Sequence, residues 1–443
     1  MPPTFFLSYP LGVEKQMLGF THLCCTMGRI LSLGCGCLDK RSGVIRGFLS
    51  SALPVCLLCI AAVTAVLYWR RPDAFNNPQF WAEDGSEFFT DIFRLGARSL
   101  VLPMAGYFHI AARLVAWLGS FLPVRYAPHW YEFASWGLLV SIIVYIFSRR
   151  FSFGLGVKFL LAIALVATTV DNEVFFNLAN WATLTSFFWM LLSISREPES
   201  KNQALFDVLI LALAGLNTPF VICFWPLFLL RWLTRQTRHS LVLFLLCLAV
   251  TVIQIWNMPV RISAGSALPV WNKVYADVLI YRFGFMFLGE QIYQLSLSDP
   301  LRIYGLAIIS VFYAGLLWQA IRDKNWDALS ILGGGILAGA LSLYVARQNP
   351  GAWLHTGGRH FYIPTVTLVW GLLLSDLRPK YIRWALLGAL WVAFLFLTPN
   401  NKNQVLPDLH WAGRTAACLG AQPVCKIPIN PVWDPPVWFA TIR

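Results

Sequence analysis

Long apolar runs are the feature of this sequence that most limits how it can fold. They recur along the chain and are roughly 17–22 residues long, the length of a helix that crosses a hydrocarbon core of about 30 Å. Only 12% of the residues are charged, whereas soluble domains carry about a quarter. A lipid-facing β-barrel is disfavoured because its strands would be about ten residues long with alternating polarity, whereas these runs are continuous. The sequence therefore predicts an all-α polytopic membrane protein.

Run length divides the chain into three parts. Residues 1–47 lack the long apolar core of a signal peptide and are interpreted as a cytoplasmic tail or an over-long gene start. Residues 48–398 form the membrane domain, and residues 399–443 form a tail rich in Pro and Trp. About eleven spans are predicted from run length, at 48–69, 129–148, 157–170, 174–195, 204–216, 219–233, 241–256, 301–321, 328–346, 362–375 and 384–397.

The distribution of Lys and Arg orients these spans. The net charge is +13, and basic residues gather in the cytoplasmic loops of membrane proteins. If segment 107–121 lies in the interface plane, basic residues such as Arg150 and Arg231 fall inside. The N-terminus is then inside and the C-terminus outside, and segments 87–102 and 275–288 are further interfacial helices. The outer loops become 70–128, 171–180, 257–300 and 347–361.

The basic residues also bear on the partners of the protein. They are spread through many loops and form no block, which disfavours binding of nucleic acid. The excess charge suits an anionic substrate or the headgroups of membrane lipids. The oligomeric state is open, since a helical bundle of this size can fold alone.

A short acidic motif follows the first span. Residues 81–87 read WAEDGSE, and carboxylates are costly to desolvate. The position of Glu83 and Asp84 at the start of a large outer loop favours a role in chemistry. One carboxylate would be a general base, or the pair would hold a divalent cation such as Mg²⁺ or Mn²⁺. The structural alternative is a helix cap, because acidic groups favour helix N-termini.

Two other outer loops carry polar residues that complement the acidic motif. An arginine opposite a carboxylate suits the transfer of a group to a hydroxyl from a phosphate leaving group. The carboxylate accepts the hydroxyl proton, and the arginine stabilises the charge on the departing phosphate. The structural alternatives are a polar turn for the acidic residues, helix packing for the amides and contact with lipid phosphate for the arginine. The residues concerned are Asp171, Glu173, Asn177, Asn180, Arg359 and His360.

Three short motifs resemble the first outer loop of GT-C membrane glycosyltransferases. They read FWAEDG at 80–85, PMAGYFH at 103–109 and ARL at 112–114. Within that class they are most similar to bacterial proteins related to the O-antigen glucosyltransferases of serotype-converting systems. GGRHFYIP at 357–364 resembles the segment before a late helix in the same proteins. The resemblance implies a first helix, an outer loop with juxtamembrane helices and then many spans, and a polyprenyl-phosphate sugar donor.

The resemblance also implies roles for individual residues. Asp84 or Glu83 would be the catalytic base, and Asp171 or Glu173 the second acidic element. Arg359 and His360 would contact the donor phosphate. His109 has a structural alternative, since an isolated histidine on an apolar face is often buried for packing. The other expected substrate-binding residues are Tyr107, His109, Arg113, Asn177, Asn180 and Trp181.

The ten cysteines fall into separate groups. Cys418 and Cys425 lie in the C-terminal tail and would form a disulfide if that tail is outside the cytoplasm. The N-terminal cysteines lack the paired spacing of a zinc site, which disfavours a metal there. They are Cys24, Cys25, Cys35 and Cys37.

We therefore expect a hexosyltransferase of the bacterial inner membrane with its active site on the periplasmic side. Its acceptor would be a glycan, lipid or protein of the cell envelope, as in assembly of lipopolysaccharide O-antigen. The alternative is a transporter or flippase of lipid-linked glycans, which predicts broken helices and polar residues near mid-membrane. Charges inside the spans are few, which disfavours transport. A scaffold would not need acidic and Arg/His loops on one face, and acyl transfer usually needs a histidine within a span.

Overall fold

The computed structural model describes residues 52–168, 172–257, 273–283, 299–346, 358–375, 384, 385, 387, 388, 405–421, 424–432 and 438–442. The chain divides into two compact units, Met1–Val55 and Cys56–Arg443. Of the first unit, the described residues are only the opening turn of a helix, so the N-terminal tail and its cysteines lie outside the described chain. Everything below concerns the second unit.

Nearly all described elements are helical. In chain order the α-helices are α1 (Ala52–Arg70), α2 (Pro72–Asn76), α3 (Thr90–Leu95), α4 (Ile110–Gly119), α5 (Ala127–Phe147), α6 (Leu155–Ala167), α7 (Trp181–Ile194), α8 (Lys201–Gly215), α9 (Val221–Arg235), α10 (Arg238–Asn257), α11 (Lys273–Phe283), α12 (Asp299–Arg322), α13 (Trp326–Ala346), α14 (Tyr362–Leu374) and α15 (Trp411–Ala421). Asp84–Phe89 is a π-helix, and the 3-10 helices are Gly96–Val101, Val124–Tyr126, Asn172–Val174 and Gly358–Phe361. Two strands follow, β1 (Cys425–Pro428) and β2 (Phe439–Ile442).

Five helical segments of the described chain are long and apolar enough to cross a membrane, namely Ala52–Arg70, Val124–Phe147, Arg238–Asn257, Arg302–Arg322 and Trp326–Tyr344. Helices α6, α7, α8, α9 and α14 have 13–15 residues. At 1.5 Å per residue they measure about 20–23 Å, less than a hydrocarbon core of about 30 Å. The fold is that of a helical membrane protein, whereas the count of eleven spans and their orientation stay predictions. Most of the predicted span 384–397 lies outside the described residues.

Two predicted segments are wrong in their bounds. The span expected at 174–195 begins with a loop, because side-chain amides hold residues 175–180 in turns and α7 begins only at Trp181. The interfacial helix expected at 87–102 is broken into a π-helix, α3 and a 3-10 helix. Gly96 ends α3 with φ +57°, a conformation that favours glycine. Helix α4, at ten residues or about 15 Å, is too short to cross, which agrees with the prediction for 107–121.

Helix α14 packs closely against α13 and α6. A Cβ on Gly335 would lie 1.9 Å from Thr367 Oγ1, and a Cβ on Gly371 would lie 2.3 Å from Leu332 Cδ2. Glycine at both positions therefore lets the two helices approach. The Trp370 indole N–H donates to the Leu161 carbonyl of α6 at 2.8 Å. These contacts fix the helix that directly follows Arg359 and His360.

The C-terminal segment, described at residues 405–421, 424–432 and 438–442, folds against the loop that follows α1. Strands β1 and β2 pair antiparallel, with Cys425 opposite Ile442. A disulfide joins Cys418 of α15 to Cys425 of β1, with Cα atoms 5.7 Å apart. The Trp411 ring packs edge-on against Phe80, with centroids 4.8 Å apart. The helical content agrees with the predicted all-α class, and this small sheet was not predicted because strands of four residues are too short to show alternation in the sequence.

A buried ionic cluster ties α8, α9 and α10 to the segments between α5 and α6 and between α7 and α8. We call it the arginine cluster, and it comprises Arg150, Glu197, Asp207, Arg231 and His239. Arg150 donates to both carboxylate oxygens of Asp207 at 2.8 Å, and His239 Nε2 lies 2.9 Å from the same carboxylate. Arg231 donates to Glu197 at 2.6 Å and to three carbonyls at the end of α7. Three helices and two connecting segments are thereby fixed to one another.

Candidate active site

A cavity of about 280 Å³ lies between the first loop (residues 71–126), the second loop (residues 172–180) and the late segment Gly358–Phe361. Five residues that the sequence analysis singled out line it, namely Glu83, Tyr107, Asn180, Arg359 and His360. They come from three segments that are far apart in the chain. The remaining lining residues were not predicted: Met104, Ala105, Ala179, Ala182, Thr183, Pro219, Phe220, Leu341 and Ser342.

The two carboxylates of the acidic motif have different surroundings although they are adjacent. The half-buried Glu83 lines the cavity and makes no side-chain cap bond to the π-helix. Asp84 is 2% exposed, and its two carboxylate oxygens accept the backbone N–H groups of Leu178 at 3.1 Å and Ala179 at 2.9 Å. Asp84 thus fastens the first loop to the second, and Glu83 is the member of the pair that faces the cavity.

Burial also changes the acidity of Asp84. Desolvation raises the pKa of this carboxyl well above its usual value, and the two amide hydrogen bonds only partly oppose the rise. The neighbouring charge of Glu83 adds to it. A carboxylate so enclosed is poorly placed to take a proton from a substrate, which favours Glu83 as the base.

The second loop is held by its own side-chain amides. The Asn177 side-chain oxygen accepts the Asn180 N–H at 2.8 Å, and the amide nitrogens of both residues donate to the Glu173 carbonyl. Asn177 is buried within the loop, so of the two only Asn180 lines the cavity. Asp171, the other predicted acidic residue, lies outside the described residues.

Arg359 joins the late segment to the second loop. Its guanidinium is 3.0 Å from the Glu173 carboxylate, and its side chain is 33% exposed. The His360 ring nitrogen lies 3.4 Å from Arg359 Nε. Burial and the charges of Arg359 and Arg282 lower the pKa of His360 to about 3, so this imidazole is neutral near pH 7. Arg359 therefore supplies the positive charge in the cavity lining.

Tyr107 stands between the cavity and the buried layer of the first loop. Its ring stacks on His109, with centroids 4.2 Å apart. Burial raises the pKa of its hydroxyl, the charge of Arg359 opposes the rise and that of Glu83 adds to it. The tyrosine is therefore influenced by both charged residues of the cavity, and its neutral hydroxyl is available as a hydrogen-bonding group there.

His109 and Arg113 lie behind the cavity rather than in its wall, contrary to the substrate-binding role expected for them. Both are almost fully buried. Arg113 pairs with Asp91 at 3.1 Å and lies 5.3 Å from the centroid of the Phe88 ring. Burial and the nearby charge of Arg113 lower the pKa of His109 to about 3, and the Met104 backbone slightly opposes this. Their burial in the packed first loop matches the structural alternative for His109.

Several buried polar atoms in this layer lack a hydrogen-bond partner of good geometry among the described residues. They belong to a set that we call the loop cluster, which comprises Asp84, Ser86, His109, Arg113 and Tyr131. The unpaired atoms are both His109 ring nitrogens, Arg113 Nε and Nη2, and the hydroxyls of Ser86 and Tyr131. Each such atom costs about 1–3 kcal/mol. Natural structures keep such groups at sites of function or of bound water.

Backbone strain also gathers around the cavity. Three of the six non-glycine residues with positive φ in the described chain are Ala82, Ala105 and Phe176, at 36°, 51° and 63°. A left-handed conformation costs a residue with a side chain about 1–2 kcal/mol. Ala82 precedes Glu83, and Ala105 lines the cavity within a turn that two hydrogen bonds close between Met104 and Tyr107. Strain of this kind concentrates at functional sites.

Trp181 packs in the core instead of stacking in the cavity. It is 7% exposed, and its indole N–H donates to Ser135 Oγ at 2.9 Å. Of the lining residues that sequence reasoning missed, Thr183 was detectable because it lies three positions after Asn180, near the start of α7. Leu341 and Ser342 gave no signal, since they lie inside an apolar run of α13.

The structure does not assemble a metal site from Glu83 and Asp84. Both oxygens of Asp84 are used by backbone amides, while Glu83 faces the cavity. Over the part of the chain that the structure describes, no group of three or more His, Cys, Asp or Glu residues is arranged to hold a metal ion. The divalent cation expected from the sequence therefore stays a prediction.

The fold places this protein in the class of helical membrane proteins, with a cavity lined by both charged and apolar side chains beside loops that connect its helices. No protein-family model matches the chain, and comparisons with curated proteins and with solved structures found no match either.

Proposed function

We propose that this protein is a membrane glycosyltransferase that transfers a hexose from a polyprenyl-phosphate donor to a hydroxyl of a glycan, lipid or protein acceptor. The observation that carries the proposal is the cavity, which has a carboxylate from the first loop and an arginine from the late segment in its wall. The acceptor oxygen would bond to the anomeric carbon as the bond from that carbon to the phosphate oxygen breaks.

Glu83 is the proposed general base. It would take the hydroxyl proton of the acceptor as the new glycosidic bond forms, a role that contributes typically 10²–10⁴-fold to a rate. Its side chain faces the cavity and is only half buried. Asp84 acts instead by holding the first loop to the second.

Arg359 is the proposed ligand of the donor phosphate. A guanidinium can make paired hydrogen bonds to phosphate oxygens and stabilise the charge that grows on the leaving group. Its ion pair with Glu173 holds the head group in place. The apolar lining residues Met104, Phe220 and Leu341 suit a donor that carries a lipid. We further propose that the site faces the periplasm of a bacterial inner membrane.

The test is transfer from a panel of radiolabelled polyprenyl-phosphate hexoses in membranes with matched amounts of wild type and variants. Glu83→Gln is expected to lower kcat by about 10²–10⁴-fold because the base is lost. Arg359→Met is expected to lower kcat/KM for the donor about tenfold or more, as loss of a hydrogen bond to a charged group implies. Glu87→Gln is the matched control, since Glu87 lies in the same loop but outside the cavity lining.

Three outcomes would contradict the proposal or part of it. Full activity of Glu83→Gln would exclude it as the base. Movement of the labelled lipid across the membrane without transfer would favour a transporter. Loss of wild-type transfer with a chelator, restored by Mg²⁺ or Mn²⁺, would establish the metal requirement that the described residues do not support.

A further inference from the structure

The C-terminal segment pairs directly with the backbone of the acidic motif. Asn430 donates its N–H to the Phe80 carbonyl at 3.2 Å, and Ala82 donates its N–H to the Asn430 carbonyl. Trp81, between them, forms a parallel β-bridge with Asn430. One residue of the C-terminal segment thus holds the three residues that lead into Glu83.

Side chains extend this contact beyond Glu83. A Cβ on Gly85 would lie 2.6 Å from Ile429 Cδ1 and 3.4 Å from the Ala440 Cβ, so both residues rest against the glycine. Thr90, after the π-helix, accepts the Thr441 N–H on its hydroxyl at 2.9 Å. Strand β2 and the residue that follows β1 therefore contact the segment that begins with the acidic pair.

A disulfide holds this arrangement together. Cys418 lies in α15, whose first residue Trp411 packs against Phe80 and donates its indole N–H to the Val124 carbonyl at 3.0 Å. Cys425 opens β1, which leads to Ile429 and Asn430. The bond ties a helix anchored on the first loop to the strand that leads into Asn430, which limits the freedom of that strand.

Glu83 is thereby held from both sides in sequence. Before it, the strained Ala82 at φ 36° is hydrogen-bonded to Asn430. After it, Asp84 is fixed by Leu178 and Ala179. A change at Ala82 would turn the backbone that directs the Glu83 side chain.

We infer that the C-terminal segment is a positioning element of the site: held by the Cys418–Cys425 disulfide, it fixes the conformation of Ala82 and so directs Glu83 into the cavity. This inference rests on the proposed role of Glu83 as the base. The segment touches no reacting atom in this account and acts only through the acidic motif.

The first test compares wild type with the double variant Cys418→Ser/Cys425→Ser in the full chain. Amide hydrogen exchange of residues 80–85 is expected to become about tenfold faster or more, because the local opening free energy falls. The kcat for transfer is expected to fall about tenfold while KM for the donor stays within about twofold, because Arg359 and Asn180 are untouched. Cys247→Ser, a buried cysteine of α10, is the control and should change none of these values.

A second pair of variants guards against a folding defect. Gly85→Ala places a methyl group against Ile429 and is expected to speed exchange of residues 80–85 and lower kcat. Adding Ile429→Ala removes the clash and should restore both values by at least half. Truncating Ile429 in a protein that is merely destabilised would destabilise it further. Rescue by Ile429→Ala therefore indicates that the lost contact positions the motif.

Unchanged exchange of residues 80–85 in both altered proteins would overturn the inference, whether or not transfer is detected. Faster exchange with unchanged kcat would overturn it as well, since the contact would then be structural alone. If wild type transfers no hexose, the proposed function fails, and the exchange measurement still decides whether the segment holds the motif.

Discussion

The arginine cluster and the loop cluster both bury charged side chains, but they satisfy them differently. In the arginine cluster the guanidinium groups of Arg150 and Arg231 use every nitrogen in hydrogen bonds, and each carboxylate oxygen of Asp207 is bonded. Tyr145, packed beside this cluster, is an exception, because its hydroxyl lacks a hydrogen-bond partner of good geometry among the described groups. In the loop cluster only one nitrogen of Arg113 and neither ring nitrogen of His109 has a hydrogen-bond partner of good geometry among the described residues.

The difference bears on how much each cluster contributes to the stability of the fold. A fully paired buried network favours one arrangement, whereas removing one partner from it leaves an uncompensated charge. Unpaired groups lower stability and are kept where function needs them. We therefore expect substitutions in the arginine cluster to unfold the protein, and substitutions in the loop cluster to cost less stability.

The largest effect is expected for Asp207→Ala. The change leaves the buried guanidinium of Arg150 without its two bonds to a carboxylate, so the free energy of unfolding should fall by about 3–5 kcal/mol. Thermal unfolding in one detergent measures it. The control is Asp323→Ala, whose pair with Arg322 is largely exposed and whose loss should cost at most about 1 kcal/mol. Equal melting temperatures for wild type and Asp207→Ala would show that the arginine cluster does not stabilise the fold.

A smaller effect is expected for Arg113→Met than for Arg150→Met. Removing Arg113 also removes two nitrogens that lack a partner of good geometry, and Asp91 keeps its bond to Arg94 at 2.9 Å. The expected loss is about 1–2 kcal/mol, against about 3–5 kcal/mol for Arg150→Met. Chemical unfolding of both variants under identical conditions gives the two values. A larger loss of unfolding free energy for Arg113→Met than for Arg150→Met would contradict the proposed difference between the two clusters.

The smallest effect is a dependence of stability on pH that arises in the loop cluster. The pKa of His109 is lowered to about 3 in the folded chain, while an unfolded histidine titrates near pH 6.5. As pH falls below about 6.5 the unfolded chain binds the proton first, so stability falls by at most about 1.4 kcal/mol per pH unit for each such histidine.

His109→Phe should reduce this dependence of stability on pH between pH 7 and pH 5. His360, whose pKa is lowered in the same way, should account for the dependence that remains in the variant. Melting temperatures at several pH values measure the slope. Phe88→Leu is the control, because it removes packing beside His109 without a titrating group and should lower stability equally at each pH. A His109→Phe slope as steep as that of wild type would show that this imidazole is not kept neutral by burial.

Local patterns predicted the helical class and the segments that meet at the cavity, because apolar run length and polar residues at run ends are visible in sequence. The same patterns did not distinguish Glu83 from Asp84. That distinction depends on the amides of Leu178 and Ala179, which approach only in the folded chain. Trp181 and Arg113 were expected in the site, whereas in the structure both side chains pack in the core. The pairing of Asn430 with Phe80 and Ala82 joins distant segments, and no local pattern reports it.

That same pairing constrains how the chain is threaded through the bilayer. Ala82 and Asn430 share a hydrogen bond, so their segments must reach the same side of the membrane. The number of crossings between them is therefore even. Helix α1 comes before both residues and adds one crossing. The total number of crossings from α1 to Asn430 must therefore be odd. Eleven crossings satisfy this parity and so would five, whereas ten or twelve would leave the acidic motif and its partner strand on opposite sides.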